Sequence, residues 1–165
     1  MKKVFSASKK FFLVTSIVAC SAFAFTSCSK DDDDNNNNSG MYTISGNASG
    51  TQMVPSVSGN GGATISGTYN ANTGVLTYTS NWNGLSGAPT SGGFYSGVSG
   101  TNGTLVGSNW NMGTGLASTG TFSGQTTLTS AQASQLTSGN WYYTLGTASH
   151  STGEVRGQIT ATQTP

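Results

Sequence analysis

Between Met41 and Pro165, apolar side chains recur at alternate positions in short runs, the period of a pleated strand and not the three-to-four spacing of a helix. The clearest case is "ATISGTY", "NANTG", "VLTYTSNW", residues 63–82. Ala63, Ile65 and Tyr69 fall on one face, with Thr64, Ser66 and Thr68 on the other. Leu76, Tyr78 and Trp82 repeat the alternation after a link that ends at Gly74, where a positive φ is wanted. This pattern predicts a β-hairpin. Further strands are predicted in "MYTISGN" (41–47), "GGFYSGV" (92–98), "GTLVGSNW" (103–110), "TGTFSGQTTL" (119–128), "WYYTLGT" (141–147) and "GEVRGQITA" (153–161). One short helix interrupts them. Thr129-Ser130-Ala131-Gln132 reads as a capping box, and Gly139 is placed to end the helix after Leu136, giving about two turns. Ile-Ser-Gly occurs at Ile44 and again at Ile65 without a fixed period, which argues against a solenoid or propeller.

The residues between these runs are mostly Gly, Ser, Thr and Asn, the usage expected of many short strands joined by turns, so the region is predicted to be all-β. At 165 residues the chain is sized for one core domain. Its formal net charge of +1 combines distinct segments: every lysine lies at or before Lys30 and every aspartate between Asp31 and Asp34. From Met41 onward the only charged side chains are Glu154 and Arg156, and the only histidine is His150. A region without a basic patch is a poor nucleic-acid binder. A metal centre needs three or four converging ligands, and only His150 and Glu154 are on offer, so neither metal nor cofactor is expected. A Ser-His-Asp triad lacks its third member because the aspartates all precede the domain. These shortages favour a non-enzymatic role.

The amino end carries a different pattern. "MKKVFSASKK" is a positive stretch and "FFLVTSIVACSAFAF" an apolar one, the order of a secretory signal, and the apolar run is short of the roughly 20 residues of a spanning helix. Cys20 and Cys28 each end a candidate cleavage motif. Cys28 is preferred because it follows the complete apolar run, although Ile17-Val18-Ala19-Cys20 is the better local match to a lipobox, and Cys20 stays the alternative. Acyl chains on that cysteine would make the membrane a partner, each buried methylene contributing roughly 0.8 kcal/mol. After Cys28, "SKDDDDNNNNSG" has nothing to bury and reads as a disordered spacer. It resembles the acidic tether that some Gram-negative bacteria place after a lipidated cysteine to send a lipoprotein to the cell surface. The expected organisation is a signal peptide over 1–27, a lipidated tether over 28–40 and a domain over 41–163, exposed at the outer membrane.

The order of the domain's pieces, from "SGTQMVPSVSGNGGATISG" through "TGVLTYTSNWNGL" to "SGNWYYTLGTASHSTGEVRGQI", resembles the CHRD domain, named after chordin. Its most specific element is Gly153-Glu154-Val155-Arg156-Gly157-Gln158, while Met53 stands where the family usually has a glutamate. The resemblance implies an immunoglobulin-like or superoxide-dismutase-like, Greek-key antiparallel β-sandwich. Family members usually carry three histidines at places matching Gly93, Tyr95 and Gly146 here, so metal binding through them is not implied for this chain.

Strand alternation in "GEVRGQIT" puts Val155 and Ile159 on a core face and Glu154, Arg156 and Gln158 on a polar one. That polar face meets solvent, or is covered by the loop around Ala117 or by the segment from Gln52 to Val57, and a structural clamp in which Arg156 and Glu154 act together is favoured over a ligand site. Trp82 and Trp141 alternate with other large residues and read as core. Trp110, in "GSNWNMG", is the candidate for an exposed, ligand-contacting aromatic. The function most consistent with these readings is interaction or structure in the cell envelope, with an unidentified envelope protein or a glycan as partner; the alternatives are a glycan- or peptide-binding module using exposed aromatics and, behind it, a metal-dependent enzyme on a superoxide-dismutase-like sandwich.

Overall fold

A computed structural model of the chain describes residues 40–165. The leader, both cysteines and the acidic run lie outside the described residues. The elements are β1 (Met41–Ser49), β2 (Gly62–Asn70), β3 (Val75–Asn83), β4 (Pro89–Ser96), β5 (Thr104–Val106), β6 (Gly120–Thr127), α1 (Ser130–Thr137), β7 (Trp141–Thr147), β8 (Val155–Gln158) and β9 (Thr160–Gln163). The strands pair antiparallel in the order β5-β4-β7-β8-β1-β2-β3-β6, with β9 also on β1. The architecture is an all-β antiparallel sheet curled into a half-barrel, with one short helix.

The hairpin forms where alternation predicts it, with Ala63 opposite Trp82 and Tyr69 opposite Leu76. Gly74 has φ +72° and closes the turn. In α1 both bonds of the capping box are present: Gln132 N donates to Thr129 Oγ1 and Thr129 N donates to Gln132 Oε1. Such a cap contributes about 1 kcal/mol, appreciable for a helix of two turns. Gly139, at φ +73°, follows the helix end.

Two predicted strands are shortened. The run after Gly103 keeps ladder pairing only over Thr104–Val106, because Gly107 turns away at φ +73°. The last run is split at Ile159, whose amide donates to Trp141 O while its side chain enters the core. The split lets one stretch of chain serve two neighbours: β8 pairs with β7, and β9 continues along β1. β1 and β8 approach closely at Gly46 and Gly157, where an added Cβ would lie 2.6 Å from Gln158 O and from Asn47 O respectively.

The inside of the curl is filled by Ile44, Ile65, Leu76, Trp82, Trp141, Tyr143, Leu145, Val155 and Ile159. Its two ends meet through aromatic rings. Tyr78 of β3 and Phe94 of β4 contact edge to face, centroids 4.7 Å apart, and Phe94 lies 5.4 Å from Trp141. Each such ring pair adds about 0.5–1.5 kcal/mol beyond the area it buries. Burial pushes the Tyr78 hydroxyl up to about 12, so it stays neutral at physiological pH.

Trp110 corrects the sequence expectation: it is 8% exposed and belongs to this aromatic core. Its amide donates to Gly92 O at 2.8 Å, which holds the segment after β5 against β4 and turns the indole inward. The ring stacks on Phe122, centroids 5.5 Å apart, and meets Phe94 edge to face. The polar neighbours that suggested a surface position, Ser108, Asn109 and Asn111, themselves remain exposed.

Candidate functional site

The two charged residues of the domain enter through β8. Glu154 N donates to Leu145 O at 2.7 Å, which starts the pairing, and the register then sets Arg156 opposite Thr144 and Gln158 opposite Tyr142. Val155 points into the core at 1% exposure, so Arg156 falls on the opposite face of the sheet.

That outer face is covered. Tyr95 of β4 and Tyr142 of β7 stack there, centroids 5.3 Å apart and planes 13° from parallel. The Arg156 guanidinium carbon lies 3.6 Å from the Tyr142 ring centroid, and Nη2 donates to Val98 O at 2.9 Å. Gln158 Nε2 donates to Gly97 O and Gly139 O, both at 2.9 Å. The cover is the connection from Gly97 to Gly103, closed by Gly103 N donating to the Tyr142 hydroxyl at 3.0 Å. A Cβ on Gly103 would collide with Ser96 O, so the connection can return this closely only through glycine. Asn102 Nδ2 donates to Val54 O, tying in the segment after β1, and Met53 lies over Gly153. Arg156 is 2% exposed. Burial lowers its pKa from the ordinary arginine value, with Tyr142 opposing, and a guanidinium so placed remains a cation.

Of the two covers expected from the sequence, the segment from Gln52 to Val57 takes part. The loop around Ala117 lies elsewhere, and Ala117 O accepts from Trp82 Nε1 at 3.0 Å.

Glu154 does not share the Arg156 network. It sits in the bend before β8, where strand alternation has not begun, and its carboxylate reaches the β3–β4 connection instead. Oε1 accepts from Ser86 N at 2.7 Å, and Oε2 accepts from Ser86 Oγ and Thr147 Oγ1, each at 2.6 Å. Burial acts to raise its pKa, but these bonds, with the charge of nearby His150, hold the carboxyl below the usual glutamate range. Among the described residues no ion pair joins it to Arg156. Each charge instead fixes one connection of the same strand: Glu154 holds the entry to β4 at Ser86, and Arg156 with Gln158 holds the exit at Gly97 and Val98.

Gly93, Tyr95 and Gly146 lie on the paired strands β4 and β7. Leu105 and Asn109 occupy the space over Gly93, and Ser91 Oγ the space over Gly146. His150 belongs to the tight turn after β7, bonded through its backbone to Thr147. Among the described residues no three of His, Cys, Asp or Glu cluster. Cys20 and Cys28 lie outside the described residues. Sequence reasoning missed Ser86 and Thr147, which have no distinguishing signal in a chain rich in Ser and Thr.

Neither a search of curated proteins nor one of solved structures finds a match. A scan against protein families matches the CHRD domain over residues 44–159, a span running from β1 through Ile159 that includes both charged residues and the loops they hold. On a match covering most of its length, the chain belongs to the CHRD domain family.

Proposed function

We propose that the folded region is a non-enzymatic interaction or structural module of the cell envelope. It is carried as a surface-exposed outer-membrane lipoprotein of a Gram-negative bacterium, held by acyl chains on Cys28, or on Cys20 in the alternative. The observation that carries the non-enzymatic reading is the commitment of Glu154 and Arg156 to loop backbone and hydroxyl groups. With both buried against these partners, His150 and the tyrosines are the side chains of the domain left for acid/base work. We assign Glu154 and Arg156 to a structural clamp accordingly. The envelope placement rests on the leader, with its lysines, apolar run and cysteine-ended motifs.

We extend the fold reading in the same way, to an immunoglobulin-like Greek-key sandwich. β8 meets β1 at a single residue pair, Ser49 with Arg156, so the path divides into a β5-β4-β7-β8 half and a β1-β2-β3-β6 half. The contact of Tyr78 with Phe94 brings their inner sides together.

Mass spectrometry of the mature protein is expected to find an acylated Cys28 at its amino terminus. A terminus at Cys20, or one without acyl chains, would overturn that reading of the leader. The same purified protein is expected to keep no stoichiometric copper or zinc through dialysis, and retained metal would reopen the enzymatic reading.

A further inference from the structure

Asparagine followed by glycine occurs three times after Met41, at Asn60-Gly61, Asn83-Gly84 and Asn102-Gly103. Asparagine is among the thermally labile residues, and a following glycine has no Cβ to keep its backbone nitrogen away from the asparagine Cγ. The three pairs are chemically alike and structurally different. At Asn102 both reacting groups are held: Nδ2 donates to Val54 O at 2.8 Å, and Gly103 N donates to the Tyr142 hydroxyl at 3.0 Å. Asn83 ends β3 and is fixed in the ladder opposite Gly62. Asn60 lies in the bend before β2 with its side chain exposed, and neither that side chain nor the Gly61 amide bonds another described residue. Backbone free of such bonds is the first part of a fold to rearrange locally.

Gly61 itself is buried, and a Cβ there would stand 3.1 Å from Glu154 Oε1 and 3.2 Å from Gly84 O. The pair thus joins an exposed, unrestrained asparagine to backbone packed against the carboxylate that fastens the entry to β4 at Ser86.

We propose that Asn60 is a modification site, converting without an enzyme to aspartate and isoaspartate and acting from there on the Glu154 fastening. As the bend opens, the Gly61 nitrogen gives its proton to solvent and attacks Asn60 Cγ. The N–Cγ bond forms, the Cγ–Nδ2 bond breaks, and Nδ2 takes up a proton and leaves as ammonia. Water then opens the cyclic imide, its hydroxyl going to one carbonyl carbon and its proton to the nitrogen. Opening at the main-chain amide restores an ordinary backbone only when the bond to Cγ is the one cut; the other cut routes the backbone through the side chain. Either product brings a negative charge to a region whose charged side chains are otherwise Glu154 and Arg156 alone. The isoaspartyl product also inserts a backbone carbon beside Gly61, where the contacts with Glu154 and Gly84 leave no slack. A like charge nearby disfavours the ionised form of Glu154, and the displaced backbone presses on the same carboxylate.

The test is incubation of the full mature protein at mildly alkaline pH, folded and in denaturant, with peptide mapping by mass spectrometry at each of the three asparagines. In the folded protein Asn60 is expected to convert first, about tenfold or more ahead of Asn102, which must give up two hydrogen bonds before attack, and ahead of Asn83. In denaturant the three rates should converge, since each asparagine then has only its glycine. Asn60→Gln should abolish the leading product and leave the other two rates unchanged. Converted protein, separated by its added charge, is expected to show faster amide exchange at Ser86, whose N–H donates to Glu154 Oε1. Conversion of Asn102 or Asn83 as fast as that of Asn60 in the folded protein, or no conversion at Asn60, would overturn the site. Exchange at Ser86 that is the same before and after conversion would overturn its action on the fastening.

Discussion

Arg156→Ala is expected to lower the unfolding free energy by about 3 kcal/mol, from the sum of three losses and one gain. The variant gives up the Tyr142 face, worth about 2 kcal/mol when the cation is desolvated, and the charged bond to Val98 O, worth about 1.5–3 kcal/mol. It also leaves a hole where the buried stem packed. Against these stands relief from burying a cation that has no carboxylate beside it. Arg156→Lys should recover only part, since an ammonium does not lie flat on Tyr142. Arg156→Met keeps the stem without the charge and separates packing from polar contact. Denaturant titration of the set reads these differences as shifts in midpoint at constant m-value. Amide exchange at Gly103, bonded to the Tyr142 hydroxyl, should quicken in Arg156→Ala as the Gly97–Gly103 connection loosens. A loss below about 1 kcal/mol for the alanine variant would reduce Arg156 to the standing of an ordinary surface charge.

Glu154→Ala should cost about 2–4 kcal/mol, because Ser86 N, Ser86 Oγ and Thr147 Oγ1 lose one shared acceptor and such losses do not add in full. The carboxyl is held below its ordinary range in the folded chain. Its contribution is therefore fully present above the unfolded glutamate value of about 4.3 and is lost as pH falls through the lower folded value. Glu154→Gln cannot accept equally at both oxygens and does not titrate. The stability difference between wild type and Glu154→Gln should shrink as pH falls below about 5. Glu154 is the only acidic side chain after Asp34, and His150 is the one charged neighbour that acts on it. A difference that grows as pH falls below about 5 would mean that the carboxyl pKa is raised in the folded state.

What the sequence made legible is what neighbouring residues decide. The β2–β3 hairpin follows from alternation and Gly74, and α1 from a box of four consecutive residues. The clamp is legible only in part. Alternation places Arg156 on the face away from Val155, but its partners come from Tyr142 and Val98, on other strands and loops, and nothing local announces them. Glu154 departs from the alternating face because it sits in the bend ahead of β8, a backbone event that the "GEVRG" pattern does not encode. For Trp110, polar neighbours were a true guide to Asn109 and Asn111 and a false one to the tryptophan between them. The bond from its amide to Gly92 O decides the direction of the ring.

The position of the clamp near the carboxyl end bears on the order in which the chain can become native. A polypeptide emerging amino end first, from a ribosome or through a membrane pore, can form β1, β2 and β3 as soon as residue 83 is free, because their pairings are local. β4 has its neighbours β5 and β7 soon after, yet its entry and exit wait for residues 68 and 58 positions further on, Glu154 for Ser86 and Arg156 for Val98. Pairings at such separation are slow to form, and unfinished sheets are exposed while they wait. Here the exposed connections are Ser-, Gly- and Asn-rich, a composition poor in the hydrophobic segments that aggregate. A ribosome stalled before Glu154, or a protease cut there, would leave a chain with most of its strands and neither fastening for β4. Completion of the native state therefore waits for the segment that carries Glu154 and Arg156.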